Sequence, residues 1–258
     1  MSNDTIAPLT GTQVREDLRL ADLRAALGAG VRDFLAYPLY GLFFSAIYVV
    51  AGLGLLYAVA RLGQTGWLIP AIAGFPIVAP FAAVGLYEVS RRREKGQEMR
   101  WGPVLGALRG RGDDQIMLMG AFIFVLFTFW VILAHGISLI FLASAGPTAH
   151  SLAILATTSG IAMLVVGGAV GGMLALILFA MTVTSLPMLV DRKVDAITAI
   201  IASLKVVRRN AAVMLAYATL VAIALLLALL PLFLGLLVVL PVLGHATWHL
   251  YRRAIPPA

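Results

Sequence analysis

The chain has 258 residues, of which 61% are hydrophobic and 12% charged, with a mean hydropathy of +0.98 and a net charge of +7. A soluble domain is nearer half apolar and a quarter charged, so this composition excludes an ordinary soluble globular protein. The absence of cysteine excludes disulfides, Cys-ligated zinc, iron–sulfur clusters and thiol nucleophiles.

Residues 1–13 carry no organised pattern and are expected to be disordered. Residues 14–253 read as one membrane domain and 254–258 as a tail. The stretch up to residue 36 contains Asp4, Glu16, Asp17, Asp22 and Asp33 and lacks a short apolar core with a small-residue cleavage site. It does not read as a signal peptide.

The expected fold is all-α and membrane-embedded, with six transmembrane helices joined on the cytoplasmic side by amphipathic interfacial helices. Uncharged stretches long enough to span hydrocarbon recur along the chain. Span 1 is expected from Pro38 to Ala60, closed by Arg61. Span 2 runs from Trp67 to Val89, with Pro70, Pro76 and Pro80 predicting kinks. Span 3 covers Gln115 to Phe141. An external loop, Ala143–Ser159, separates it from span 4 within Gly160–Val190. The last stretch, Ala211–Tyr251, holds no charge and as one helix would be about 60 Å long, roughly twice the hydrocarbon thickness. It must reverse, and Pro231 near its midpoint places spans 5 and 6 at about 211–230 and 232–251.

Orientation follows from the basic residues. All of the 19 except Arg61 precede span 1, follow span 6, or lie between spans 2 and 3 or spans 4 and 5. The positive-inside rule puts those segments, and both termini, in the cytoplasm. The basic charge therefore points to anionic lipid headgroups rather than nucleic acid.

One plan recurs in segments 14–95, 96–193 and 194–253: an amphipathic helix, a span out, and a span back that ends in proline and a polar exit. Leu20, Leu23, Leu27, Val31 and Phe34 form the first apolar stripe. Ile197, Ile200, Ile201, Leu204 and Val207 form the third; the middle copy, Trp101, Val104, Leu105 and Leu108, is shorter. Two readings fit: a threefold repeat, or linkers that are amphipathic and basic simply because they join spans at the cytoplasmic surface.

Chemistry-bearing residues are few. Every carboxylate falls in a cytoplasmic segment or at a cytoplasmic span end, so none lies at mid-membrane as an ion-coupled carrier would require. His245 and His249 share a helix face and could chelate a metal, joined by Glu88 and Asp191 at matching depths on their own spans. The alternative is an interfacial anchor, with His245 and His249 beside Trp248 and Tyr251 and the carboxylates paired to nearby arginines. His135 in span 3 and His150 in the loop could bind haem only with a second axial ligand. Gly167, Gly168, Gly171 and Gly172 give two overlapping Gly-x-x-x-Gly frames, a close helix contact either within the bundle or between subunits. No phosphate-binding loop, nucleophile elbow, His-Glu-x-x-His or dinucleotide fingerprint occurs, and no enzyme activity or cofactor is expected.

Four stretches carry a family resemblance: Asp33-Phe34 with Pro38 to Phe44, Pro80-Phe81 with Gly85 to Arg92, Ser185 to Arg192, and Leu240 to Arg252. As a set, running from about Asp22 onward, they resemble domain of unknown function family 2189, predicted bacterial integral membrane proteins. The resemblance implies a bacterial inner-membrane protein and no defined activity. Names linking some members to cytochrome c oxidase imply at most an accessory or assembly role, because this chain has four histidines in all. Three functions follow as expectations. The first is a non-enzymatic accessory, scaffold or assembly protein, working with a protein partner or as a homo-oligomer. The second is a carrier or channel for a small neutral solute, and the third a metal- or haem-binding subunit associated with the respiratory chain.

Overall fold

The computed structural model describes residues 13–62, 82–107, 114–143 and 157–256, and these are helical without strands. The helices are α1 (Leu20–Ala36), α2 (Pro38–Leu62), α3 (82–94), α4 (Trp101–Gly106), α5 (Gln115–Leu142), α6 (Thr158–Thr182), α7 (Ser185–Asp191), α8 (Ala196–Arg209), α9 (Ala211–Leu229) and α10 (Leu236–Ala254).

Local chemistry sets many of the boundaries. Pro38 disfavours helix at the residue before it and suits a first helical position, so α1 stops and α2 starts around Tyr37. Asp22 accepts from the Arg19 backbone N–H at 3.0 Å at the start of α1. Asp195 accepts from the Thr198 N–H at 2.8 Å at the start of α8. Pro187 lacks the N–H that would bond Val183 and crowds its carbonyl; the chain breaks there, separating α7 from α6. The reversal expected at Pro231 is present. Residues 230–235 leave the helix, with Leu232 and Phe233 in the left-handed region at φ 51° and 65°.

Among the described residues, four helices are long and apolar enough to cross a membrane: Pro38–Ala58, Gln115–Phe141, Thr158–Asp191 and Ala211–Leu229. Most of expected span 2, including Pro70, Pro76 and Pro80, lies outside the described residues, as do residues 1–12 and His150. Expected span 6 is α10, a 19-residue helix that does not qualify on composition because it carries two histidines and two arginines. Only 6% of the apolar window of Thr158–Asp191 is buried in the protein, so most of that stretch is exposed, whereas α7 at its end is buried.

The expected apolar stripes of the amphipathic helices are only partly buried: Leu23 and Phe34 are core, and Leu27, Ile200 and Val207 pack against it. In α1 the buried residues are Leu23, Ala26, Gly30, Asp33 and Phe34, whereas Leu20 and Val31 of the expected stripe are exposed. In α8 they are Ala196, Ala199, Ala202, Ser203 and Val206, and Ile197, Ile201 and Leu204 face outward. Small side chains let helices approach closely, and part of each bulky stripe is left exposed. In α4, likewise, Val104 is buried and Trp101 and Leu105 are exposed.

The packing partners follow a cyclic order. Helix α1 lies on α10, and α8 lies on α6 and α7. Val104 of α4 shares a cluster with Tyr40 and Phe44 of α2 and Leu86 and Val89 of α3, and Trp101 stacks on Tyr40. Each short helix thus rests on the hairpin that precedes it, with the first closing onto the last.

The four glycines of span 4 divide. A Cβ on Gly171 would meet Trp130 of α5 at 2.7 Å, so this residue makes an internal contact, while Gly167, Gly168 and Gly172 face open space.

Helix α1 meets α10 almost backbone to backbone. A Cβ on Gly30 would stand 2.6 Å from the Val242 carbonyl oxygen and 2.7 Å from the Ala246 nitrogen. Two residues earlier, on nearly the opposite side of α1, a Cβ on Gly28 would meet only the end of Arg32, at 3.6 Å. Gly30→Ala should therefore destabilise the protein by about 1–3 kcal/mol, through forced separation of α1 and α10. Gly28→Ala should be neutral or stabilise by up to about 1 kcal/mol. Equilibrium unfolding of the two variants in detergent checks the contrast.

Candidate functional site: a polar cluster where the return helices end

The polar residues of α3, α7 and α10 sit at one end of the molecule and converge with α1. On α10, His245, Trp248, His249 and Arg252 recur at helical spacing and occupy one face. On α3, Ser90, Arg93 and Glu94 do the same. Asp33 comes from the inward face of α1.

Asp33 is the centre of the inner layer. Its side chain is 5% exposed and accepts three hydrogen bonds. The Ser90 hydroxyl donates to Oδ2 at 2.6 Å, His249 Nε2 donates to Oδ2 at 2.8 Å, and Arg93 donates to Oδ1 at 2.5 Å. Burial pushes the Asp33 carboxyl up. The hydrogen bonds from His249 and Ser90, with the nearby histidine charge, more than offset that and hold it below the usual 3.8.

These contacts fix the role of His245. Ser90 has one hydroxyl hydrogen and gives it to Asp33, so its oxygen accepts from His245 Nδ1 at 2.8 Å. The His245 imidazole is completely buried, and its Nε2 has no hydrogen-bond partner. The neutral ring with hydrogen on Nδ1 fits this site, because a second N–H would be buried without an acceptor. Serine, histidine and aspartate are adjacent, but not in the order nucleophilic catalysis uses. The histidine donates to the serine, the serine donates to the carboxylate, and the hydroxyl is sealed from solvent.

The outer layer ties three helix ends together through Asp191 and Glu94. Asp191 accepts from the Tyr251 hydroxyl at 3.0 Å, Arg252 at 3.1 Å and Lys95 at 3.3 Å. Glu94 accepts from Trp248 Nε1 at 3.0 Å and Arg252 Nε at 2.9 Å. Beside them Glu88 takes both arms of the Arg91 fork at 2.6 Å, a bidentate pair almost wholly buried, with Arg92 at 3.5 Å. The N-terminal segment joins this end: the Arg15 N–H donates to the Ala254 carbonyl at 2.9 Å, and Arg253 pairs with Asp22 at 3.1 Å.

The four residues expected as metal ligands each have separate partners. His245 is bound to Ser90, His249 to Asp33, Glu88 to Arg91 and Arg92, and Asp191 to Tyr251, Arg252 and Lys95. No group of three or more His, Asp or Glu among the described residues is arranged to hold a metal ion. Sequence reasoning missed Ser90, Arg93 and Asp33 as members of this cluster; the structure buries Asp33. The available signal was the stripe Leu23, Ala26, Gly30, Asp33, in which small residues mark the face of closest approach.

The depressed Asp33 carboxyl makes part of the stability pH-dependent. Its contribution is complete above the unfolded value of about 3.8 and disappears as pH falls through the lower folded value. Asp33→Asn should cost about 2–3 kcal/mol at neutral pH, by leaving Arg93 and His249 without a charged acceptor. That difference from the parent protein should be flat down to about pH 5 and shrink below it. Unfolding in detergent across this range measures both the size and the slope.

No curated protein and no solved structure matches the chain. The family resemblance stands over the middle of the chain, whereas the stretches beginning at Asp33 and Leu240 lie outside the matched range. Residues 68–191 match the model of a family described as predicted integral membrane protein (DUF2189).

Proposed function

We propose that this protein is a bacterial inner-membrane protein crossing the bilayer six times, with both ends in the cytoplasm, and that it acts as a non-enzymatic accessory, scaffold or assembly protein. The observation that carries this reading is the outward stripe on all three short helices. Leu20 and Val31 of α1, Trp101 and Leu105 of α4, and Ile197, Ile201 and Leu204 of α8 are exposed, next to arginines and lysines. Such helices suit the plane of the membrane interface, with the bulky face in lipid and the basic residues among anionic headgroups. The cyclic packing supports three related hairpin units, and the contact between Arg15 and Ala254 supports both ends lying on one side, as an even number of crossings requires. The polar cluster supports a structural role, since its buried members are bound to one another.

Two measurements test the proposal. A fluorescent reporter fused after Ala258 should fold and fluoresce in the cytoplasm, whereas alkaline phosphatase at the same place should be inactive; the reverse pattern removes the six-span topology. Purification in mild detergent followed by mass spectrometry should recover a stoichiometric partner. Lys205→Glu with Arg208→Glu, both on the exposed face of α8, should reduce that recovery several-fold. Recovery of a lone species that turns over a ligand overturns the accessory role.

A further inference from the structure

Helices α2 and α9 both pack on α10 but scarcely on each other. Between them, with α3 as a further wall, lies a half-enclosed cavity of about 310 Å³. Tyr48, Ala83, Leu86, Leu225, Leu243 and Thr247 are among its lining residues, and no lining residue is charged. The cavity lies on the apolar side of the polar cluster: Leu86 is one helical turn before Ser90, and Gly244 directly precedes His245. Its volume holds roughly ten groups the size of a water molecule or a methylene.

Its walls favour hydrocarbon over a polar molecule. The Ser45 hydroxyl already donates to the Gly41 carbonyl at 2.7 Å, and that of Thr247 to the Leu243 carbonyl at 2.8 Å. An apolar void left empty forfeits dispersion contacts along its whole lining, and water gains too few partners there to compensate. The surroundings supply the occupant. Helices α2 and α9 are membrane-spanning by length and composition, and their other faces expose Ile47, Val50, Ile223 and Leu226. A gap between two such helices meets lipid chains at their highest local concentration.

We infer that this cavity between α2, α3, α9 and α10 is a lipid site that holds one acyl chain of a membrane phospholipid. Glycine shapes it: a Cβ on Gly244 would stand 2.7 Å from Leu86 Cδ1, and Gly85 gives the Phe44 ring its place against α3. The site is independent of the accessory role proposed above and tests separately from it.

The test uses the full chain in vesicles of phosphatidylethanolamine and phosphatidylglycerol, containing phosphatidylethanolamine with a diazirine in one acyl chain. After photolysis, peptide mapping should find adducts on Tyr48, Leu225 and Leu243 several-fold above those on Ile223 and Leu226, which face bulk lipid. Ala83→Phe, which fills the cavity from α3, should cut the cavity adducts several-fold and leave the outward ones unchanged. Leu225→Trp fills it from α9 and should do the same, so loss of folding in one variant does not decide the matter. Cavity adducts no higher than the outward ones, or insensitive to both substitutions, overturn the inference. Labelling by a single-chain diazirine alcohol with none from the phospholipid overturns the assignment to phospholipid.

Discussion

A buried carboxylate cannot remain ionised unless donors replace the water it has lost, and Asp33 meets that demand with groups from two other helices. Ser90 and Arg93 come from α3 and His249 from α10, while Asp33 itself comes from α1. Three elements far apart in sequence are thereby held in one register. Ser90 then fixes the hydrogen of His245, and Gly30 lets α10 approach close enough for the histidines to reach. Removing the charge would leave Arg93 and His249 facing a site built for an anion.

The outer layer extends the same constraint to α7. Asp191 is shared by Tyr251, Arg252 and Lys95, and Glu94 by Trp248 and Arg252, so the ends of α3, α7 and α10 close on one another. Polar groups of this kind cannot enter hydrocarbon and so collect at the bilayer surface. In this molecule they also bond the return helices to one another. Away from this end α6 still packs on α5, where Gly171 meets Trp130, and on α8, yet most of its apolar surface stays exposed. The protein is held together at its polar end and exposes hydrocarbon along its length, which suits a membrane protein whose neighbours are lipids or other spans.

Much of the fold was legible residue by residue. The positions of α2, α5 and α9 follow from uncharged runs bounded by charge or proline, and the reversal near Pro231 from a run too long for one bilayer. The face each amphipathic helix buries was not. Leu20, Val31, Ile197 and Ile201 are exposed while Leu23 and Phe34 of the same pattern are buried, because periodicity marks an apolar face without saying whether protein or lipid will cover each residue. The polar cluster was half legible. Spacing put His245 and His249 on one face, but Ser90 sat unremarked in a basic run and Asp33 among surface charges.

From its sequence alone, this chain determines that it belongs in a membrane and where its apolar helices lie. Those properties depend on local composition and on the free energy of transferring side chains between water and hydrocarbon. Only the tertiary structure decides which donor meets which carboxylate, that Asp33 is buried, and that α2 and α9 leave a cavity between them. Those outcomes depend on the relative rotation and separation of helices, set by packing between residues distant in sequence, and no local pattern encodes them.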